Sequence, residues 1–385
     1  MKRIILILSH LFFLIVFLLL CLAPIAQRQF TFIPEETLTG VVVAVSRPQW
    51  SWTDWLSGKF QTQAELWWNE RVGFRGALIK TVNQINFSLF KEISSGGNVK
   101  IVLGQNNMLY EKGYITNYHG RDTAPLATLE KQVVNLSLLQ KKLKQRGIVF
   151  LLVISPSKAT VYSEYLPPDL VTKQPGTPLT DYERIRPLLT KAGINLVDST
   201  EFFLVQKTES PYLLFPSGGT HWSYYGACLV QQKIMQTMQE QLRRPVRQLV
   251  CEPRVVDTTP IGTDKDLSEL MNIWTERVID GPTPHPLLTT TGTKRAYQPR
   301  VAAIGDSFIW TLAGVSHSAQ LYGEQDVYYY FETRRRYPAG PESDIRAKIN
   351  WSKDFWNKDV IIIEINEVAM NMIGYGFVEA ALKEL

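Results

Sequence analysis

The segment VAAIGDSFIW, Val301 to Trp310, sets a serine between a short apolar run and a helix-forming stretch. A hydroxyl at a strand-to-helix turn is lifted clear of the sheet, and the first free N–H groups of the helix point into the same space. Those donors can hold the oxyanion that forms when the hydroxyl attacks an ester carbonyl. Gly305 permits a sharp turn. An Asp or Ser before a helix is also an ordinary N-cap, so Ser307 has a structural reading beside the catalytic one. The strand–Gly–Asp–Ser–helix context favours the nucleophile.

A serine at its normal pKa needs a base. Among the five histidines, His10 lies in an apolar segment, His119 and His285 in polar loops, and His317 on or near the serine helix. His221, in FPSGGTHWSYYGA, is the natural base, because imidazole titrates near neutrality and a partner on its far nitrogen fixes the tautomer. Gly218 and Gly219 offer it no carboxylate. Asp198 at a strand end, Asp266 and Glu367 are candidate acids that the sequence does not rank. A Ser–His dyad, or a chain that has lost catalysis and acts in binding or assembly, also fits.

These residues need elements to position them. Short β-branched or apolar runs read as buried strands: GIVFLLVIS (147–155), INLVD (194–198), RVAAIG (300–305), DVYYYFE (326–332) and DVIIIEIN (359–366). Helical patterns such as 126–146 and ACLVQQKIMQTMQEQL (227–242) separate most of them, which implies an α/β fold with a mainly parallel sheet and helices on both faces. VKIVLGQNNMLYEKG reads as a hairpin. The Pro/Thr/Gly-rich stretch 280–300 reads as a surface loop. A helix is expected over the region of Leu78 to Phe90, and Trp50, Trp52, Trp55, Trp67 and Trp68 before it read as core, with interfacial anchoring as the alternative.

The chain has 385 residues, 45% hydrophobic and 20% charged, with a net charge of +5. That composition excludes disorder, and no basic tract is long enough for nucleic acid. Lys2 and Arg3 precede an apolar run from Ile4 to about Ile25, long enough to cross a bilayer. A cleavage site after Ala26 would have Pro24 at −3, so an uncleaved anchor with its basic end cytoplasmic is the reading, and a cleaved signal the alternative. Either exports the remainder. Cys228 and Cys251 can pair in an oxidising compartment or stay as buried thiols; no metal-ligand spacing is present, and no cofactor is expected. The expected domains are 1–27 as a transmembrane signal anchor, 28–98 as a membrane-proximal helical region, and 99–385 as the catalytic domain.

IGDSF resembles block I of the SGNH/GDSL hydrolases, and GTHW resembles the D-x-H-W motif of the SGNH-like O-acetyltransferases of exopolysaccharide export, the alginate O-acetyltransferase family. WWNERVGFRGALIKTVNQI is similar to that family's N-terminal helix with its Phe-Arg pair, and VLGQNNMLYEKGYI to its hairpin. ISPSKATVYSEYLP resembles its Pro-x-Lys-x-x-x-Tyr segment, and GTDKDLSEL the segment before its serine strand. The histidine precedes the serine, as in that family's circularly permuted arrangement of the three-layer SGNH fold. The resemblance implies Ser307 as nucleophile, His221 as base, and Asn366, at the end of the DVIIIEIN strand, as an oxyanion donor. Gly219 stands where the family keeps its aspartate.

What the resemblance implies is a single-pass protein of the inner or cytoplasmic membrane, its catalytic domain extracytoplasmic, moving acetyl groups through an acyl-serine onto an exported polysaccharide or cell-wall glycan. The donor would be delivered by a membrane-bound O-acyltransferase of the MBOAT type. A carbohydrate acetylesterase and a silent glycan-binding subunit of a secretion complex are the alternatives. Arg334 to Arg336 are a candidate contact for an anionic glycan.

Overall fold

Runs of Val, Ile and Leu too short for helices, each followed by a helical pattern, become a layered sheet. The computed structural model describes residues 2–40, 45–95, 99–275, 279, 281–292, 296–337, 341–342 and 344–385. The chain divides into two units, one of Met1–Lys100 with Glu269–Glu276, the other of Ile101–Ser268 with Arg277–Leu385.

The strands are β1 (Ile101–Leu103), β2 (Leu109–Glu111), β3 (Val149–Ser155), β4 (Leu196–Asp198), β5 (Gln248–Asp257), β6 (His285–Thr291), β7 (Arg300–Gly305), β8 (Glu324–Tyr329), β9 (Thr333–Tyr337), β10 (Pro341–Glu342) and β11 (Val360–Asn366). The helices of seven or more residues are α1 (Lys2–Phe30), α2 (Lys59–Asn69), α3 (Arg75–Phe90), α4 (Lys112–Tyr118), α5 (Leu126–Gln145), α6 (Asp181–Lys191), α7 (Ser199–Gln206), α8 (Tyr224–Leu242), α9 (Ile309–Ser318) and α10 (Phe377–Glu384).

In the larger unit the central sheet has the order β10-β9-β8-β7-β11-β3-β4. Strands β8, β7, β11, β3 and β4 are parallel, and β9 and β10 add an antiparallel edge. Numbered from the serine strand β7, the parallel part reads 2-1-3-4-5, a doubly wound order whose ligand crevice lies at the carboxyl edge, where the order reverses at β7. Period-2 alternation sends Leu151, Val153, Val301, Ala303 and Ile362 into a core with α8 and α9. Phe150, Leu152, Ile154, Ala302 and Ile363 go into a second core with α5, α6 and α10. One sheet between two helical layers results.

The stretch expected as a loop over 280–300 contains β6, which pairs antiparallel with β5; residues 280 and 293–295 lie outside the described residues. Pro286 argued against a strand, but it sits opposite Val255, where the register shifts, and irregular pairing tolerates proline. A disulfide joins Cys228 on α8 to Cys251 on β5. The triple-arginine segment also forms a strand, β9.

In the smaller unit, Leu6–Phe30 of α1 is long and apolar enough to cross a membrane. Asn83 of α3 donates to Met271 O at 2.9 Å, which ties Glu269–Glu276 into this unit. The tryptophans read as core are not core: Trp50, Trp52, Trp55 and Trp68 are exposed. Burying large aromatics takes a sheet or several packed helices, and among the described residues this unit has no sheet.

Candidate active site

The serine turn is tight because Gly305 lies against a buried side chain. A Cβ there would collide with the Glu364 carboxylate on the neighbouring strand β11. Asp306 wires the turn in place: Oδ1 accepts from the Phe308 N–H at 3.0 Å, and Oδ2 accepts from the Asn366 N–H at 2.9 Å and the Tyr375 hydroxyl at 3.0 Å. Asp306 is therefore the capping-type residue of the motif, which leaves the Ser307 hydroxyl for other work. Among the described residues, the Ser307 N–H donates to no protein acceptor.

His221 Nε2 lies 2.7 Å from Ser307 Oγ. The two are 86 positions apart in sequence, and meet at the carboxyl edge because the histidine loop and the serine turn both end there. The imidazole ring packs on Phe308 at 4.7 Å, and Phe308 packs on the fully buried Trp222 at 5.3 Å. Adjacent His and Trp thus fix the ring against the residue after the serine.

The far nitrogen of His221 meets Asp266: Nδ1 contacts Oδ2, and Oδ1 accepts from the Thr220 N–H at 2.8 Å. The Gly218 carbonyl and the bare Cα of Gly219 receive the segment that carries Asp266. The Leu267 and Ser268 N–H groups both donate to Gly218 O, at 3.0 and 2.9 Å. A Cβ at Gly219 would overlap Thr263 O and lie 2.9 Å from Asp264 C. The segment Gly262–Ser268 fills the space that a side chain at 219 would need. Asp198 and Glu367, the other candidate acids, are committed elsewhere. Asp198 binds Arg186 and Tyr182 and caps α7; Glu367 accepts from Ser157, Thr160 and Thr200.

Several supporting residues take their roles from tertiary contacts. Lys158 is buried and donates to Leu109 O at 2.9 Å, Pro216 O at 2.6 Å and Ser217 O at 3.2 Å, pinning the histidine loop to the hairpin. Burial pulls its ammonium down to about 7 against the pull of Asp266 and Glu111. His285, expected in a polar loop, lies on β6 with Nε2 2.8 Å from Asp264 Oδ2, and so anchors the segment that carries Asp266. Glu364 accepts from Ser155 Oγ and from the Asp306 N–H at 3.1 Å; burial, then the Asp306 charge, push its carboxyl far above the usual range. Asn366 donates from Nδ2 to Pro156 O at 3.2 Å and accepts the Val368 N–H at 3.1 Å.

Arg334 and Arg336 both face Asp354 Oδ1, at 3.0 and 2.6 Å, so that one carboxylate is shared by two guanidinium groups. Arg335 lies over the Trp310 ring at 5.6 Å. An imidazole between a hydroxyl and a carboxylate, beside an uncommitted N–H, can activate the hydroxyl for attack on a carbonyl.

A family model described as an SGNH hydrolase-like domain, acetyltransferase AlgX, matches residues 101–323, more than half of the chain. No curated protein matches the chain. Among solved structures, the O-acetyltransferase domain of Pseudomonas putida AlgJ shares 18% identity, over 71% of this chain and 93% of that one, with a TM-score of 0.46. Pseudomonas aeruginosa AlgX shares 16%, over 72% and 67%, with a TM-score of 0.43. Bacillus cereus PatB1 shares 15%, over 71% and 97%, with a TM-score of 0.40. The family model alone carries the assignment.

Proposed function

The chain belongs to the family of SGNH hydrolase-like acetyltransferase domains represented by AlgX, and from that premise we propose that it is an extracytoplasmic O-acetyltransferase working through an acyl-serine on an exported glycan. The observation that carries this reading is the Ser307–His221–Asp266 contact chain, with His221 Nε2 at 2.7 Å from the hydroxyl.

Ser307 Oγ attacks the acetyl carbonyl of the donor while its proton passes to His221 Nε2. Asp266 holds the imidazole in the tautomer that can accept it and stabilises the imidazolium. The oxyanion is received by the Ser307 N–H and by the second hydrogen of the Asn366 amide. As the intermediate collapses, His221 returns the proton to the departing group and acetyl-Ser307 remains. A glycan hydroxyl then gives its proton to His221 as its oxygen attacks the acyl carbon; Ser307 leaves and takes the proton back.

The anchor, residues 1–27, would hold the domain of residues 99–385 at the membrane through the helical region 28–98, beside an MBOAT-type protein that supplies the acetyl donor. An apolar helix able to span a bilayer supports this placement. The deciding experiment incubates the full chain with p-nitrophenyl acetate and glycan oligomers. Acetylated oligomer, lost in Ser307→Ala, is the expected result. Acetate release alone marks an esterase, and equal behaviour of wild type and Ser307→Ala ends the catalytic reading.

A further inference from the structure

A groove of about 430 Å³ opens beside the serine turn, lined by Gln132, Tyr330, Glu332, Arg346, Tyr375 and Glu379 among others. It is wired to the residues before Ser307. The Tyr330 N–H donates to Gly305 O at 2.9 Å, and the Tyr375 hydroxyl donates to Asp306 Oδ2 at 3.0 Å. The two tyrosine rings meet edge to face at 4.8 Å.

The backbone there is strained. Tyr330, Phe331 and Tyr375 have φ of 49°, 53° and 52°, a left-handed region that bulky side chains rarely adopt. Arg346 holds them there, donating to Phe331 O at 3.0 Å, Tyr330 O at 3.4 Å and Tyr375 O at 3.2 Å. Strain of this kind persists where the surroundings over-determine it, and it clusters at ligand sites.

The chemistry of the lining is selective. Glu332 and Glu379 are exposed acceptors. Gln132 Nε2 donates to Asn371 O, while its Oε1 is buried with no partner among the described residues. Arg346, the one cation among the lining residues, donates to the three carbonyls from Nε and Nη2 and lies 3.6 Å from Glu332. The groove thus presents aromatic faces and hydrogen-bond acceptors, with two carboxylates against one guanidinium. Hydroxyl groups satisfy such a surface, and carboxylates are repelled by it.

We propose that this groove is the acceptor subsite and that it takes an uncharged glycan, whose sugar rings stack on Tyr330 and Tyr375 and whose hydroxyls donate to Glu332 and Glu379. The inference rests on the acyl-transfer reading of Ser307 and narrows it to a substrate class. The arginine run, expected as a contact for an anionic glycan, does not line this groove.

The test uses the full chain, p-nitrophenyl acetate as donor, and four acceptors: cellohexaose, maltohexaose, N-acetylchitohexaose and hexagalacturonate. At least one uncharged hexamer should be acetylated at least tenfold faster than hexagalacturonate. Tyr330→Asn removes the ring but keeps a residue that tolerates the left-handed backbone; it should raise KM for that hexamer about tenfold, with a smaller effect on kcat. Glu379→Lys should narrow the neutral-to-uronate ratio several-fold. Preferred transfer to hexagalacturonate, transfer to none of the uncharged hexamers, or an unchanged KM in Tyr330→Asn would each overturn the proposal. Failure of the acyl-transfer reading looks different: an esterase releases nitrophenol through Ser307 while acetylating no acceptor, hexagalacturonate included, and a non-catalytic chain releases none that depends on Ser307.

Discussion

Asp266 reaches His221 from 45 residues away in sequence, and the Thr263–Asp264 backbone of the same segment occupies the room that a side chain at Gly219 would take. Where the resemblance leads one to look for an aspartate two residues before the histidine, this chain brings a carboxylate from the segment that follows β5. Glycine at 219 leaves the room in which that segment docks.

If Asp266 orients the imidazole, Asp266→Asn should lower kcat by roughly 10²–10⁴-fold, with KM changed far less. The amide can still accept from the Thr220 N–H, so the melting temperature should stay close to that of wild type. Steady-state kinetics with p-nitrophenyl acetate, paired with thermal unfolding, checks both halves.

Restoring the aspartate at 219 should fail. Gly219→Asp forces a Cβ onto Thr263 O and against Asp264, and overpacking of this kind costs about 1–3 kcal/mol. The double variant Gly219→Asp/Asp266→Asn should therefore be no more active than Asp266→Asn alone. Recovery of activity in the double variant would show that the loop yields and that the two positions are interchangeable.

Glu364 gives the fold a pH dependence with a definite sign. Its carboxyl is pushed up by burial and by Asp306, so the folded protein keeps the proton where the unfolded chain has released it. Stability from this group is complete below the unfolded value of about 4.3 and is lost as pH rises toward the folded one. Glu111, Glu367 and Asp264 are raised by burial as well and act in the same direction. Lys158, pulled down to about 7, acts oppositely, but only above that value. Between about pH 4.5 and 7, wild type should lose melting temperature more steeply than Glu364→Gln. Equal slopes would show that Glu364 does not set the dependence.

The Cys228–Cys251 bond closes a loop of moderate length, with a sequence separation of 23. Cys228→Ser/Cys251→Ser should cost about 2–4 kcal/mol of stability. Non-reducing and reducing gels with thermal unfolding measure this; equal melting temperatures for the variant and the oxidised wild type would contradict it.

Much was legible in the residues alone. Each central strand is a run of β-branched or apolar residues whose character is complete within seven positions, so the expected segments and β3, β7 and β11 nearly coincide. The serine turn announces itself because glycine, a carboxylate and a hydroxyl follow a strand directly. The resemblance to the family was carried by motifs of the same local kind. The choice among Asp198, Asp266 and Glu367 was not legible, because all three are carboxylates near element ends. They are separated only by what each touches once the sheet order is set. The β5–β6 pair was hidden for a similar reason: its partners are distant in sequence, and Pro286 speaks against a strand until its bulged partner is known. The tryptophans of the smaller unit carry the composition of a core without the neighbours to make one. Side-chain chemistry and periodicity belong to short windows of sequence and were determined there. Proximity between windows belongs to packing, and packing alone decided which acid holds His221, whether Cys228 and Cys251 pair, and which tyrosines bond to Gly305 and Asp306.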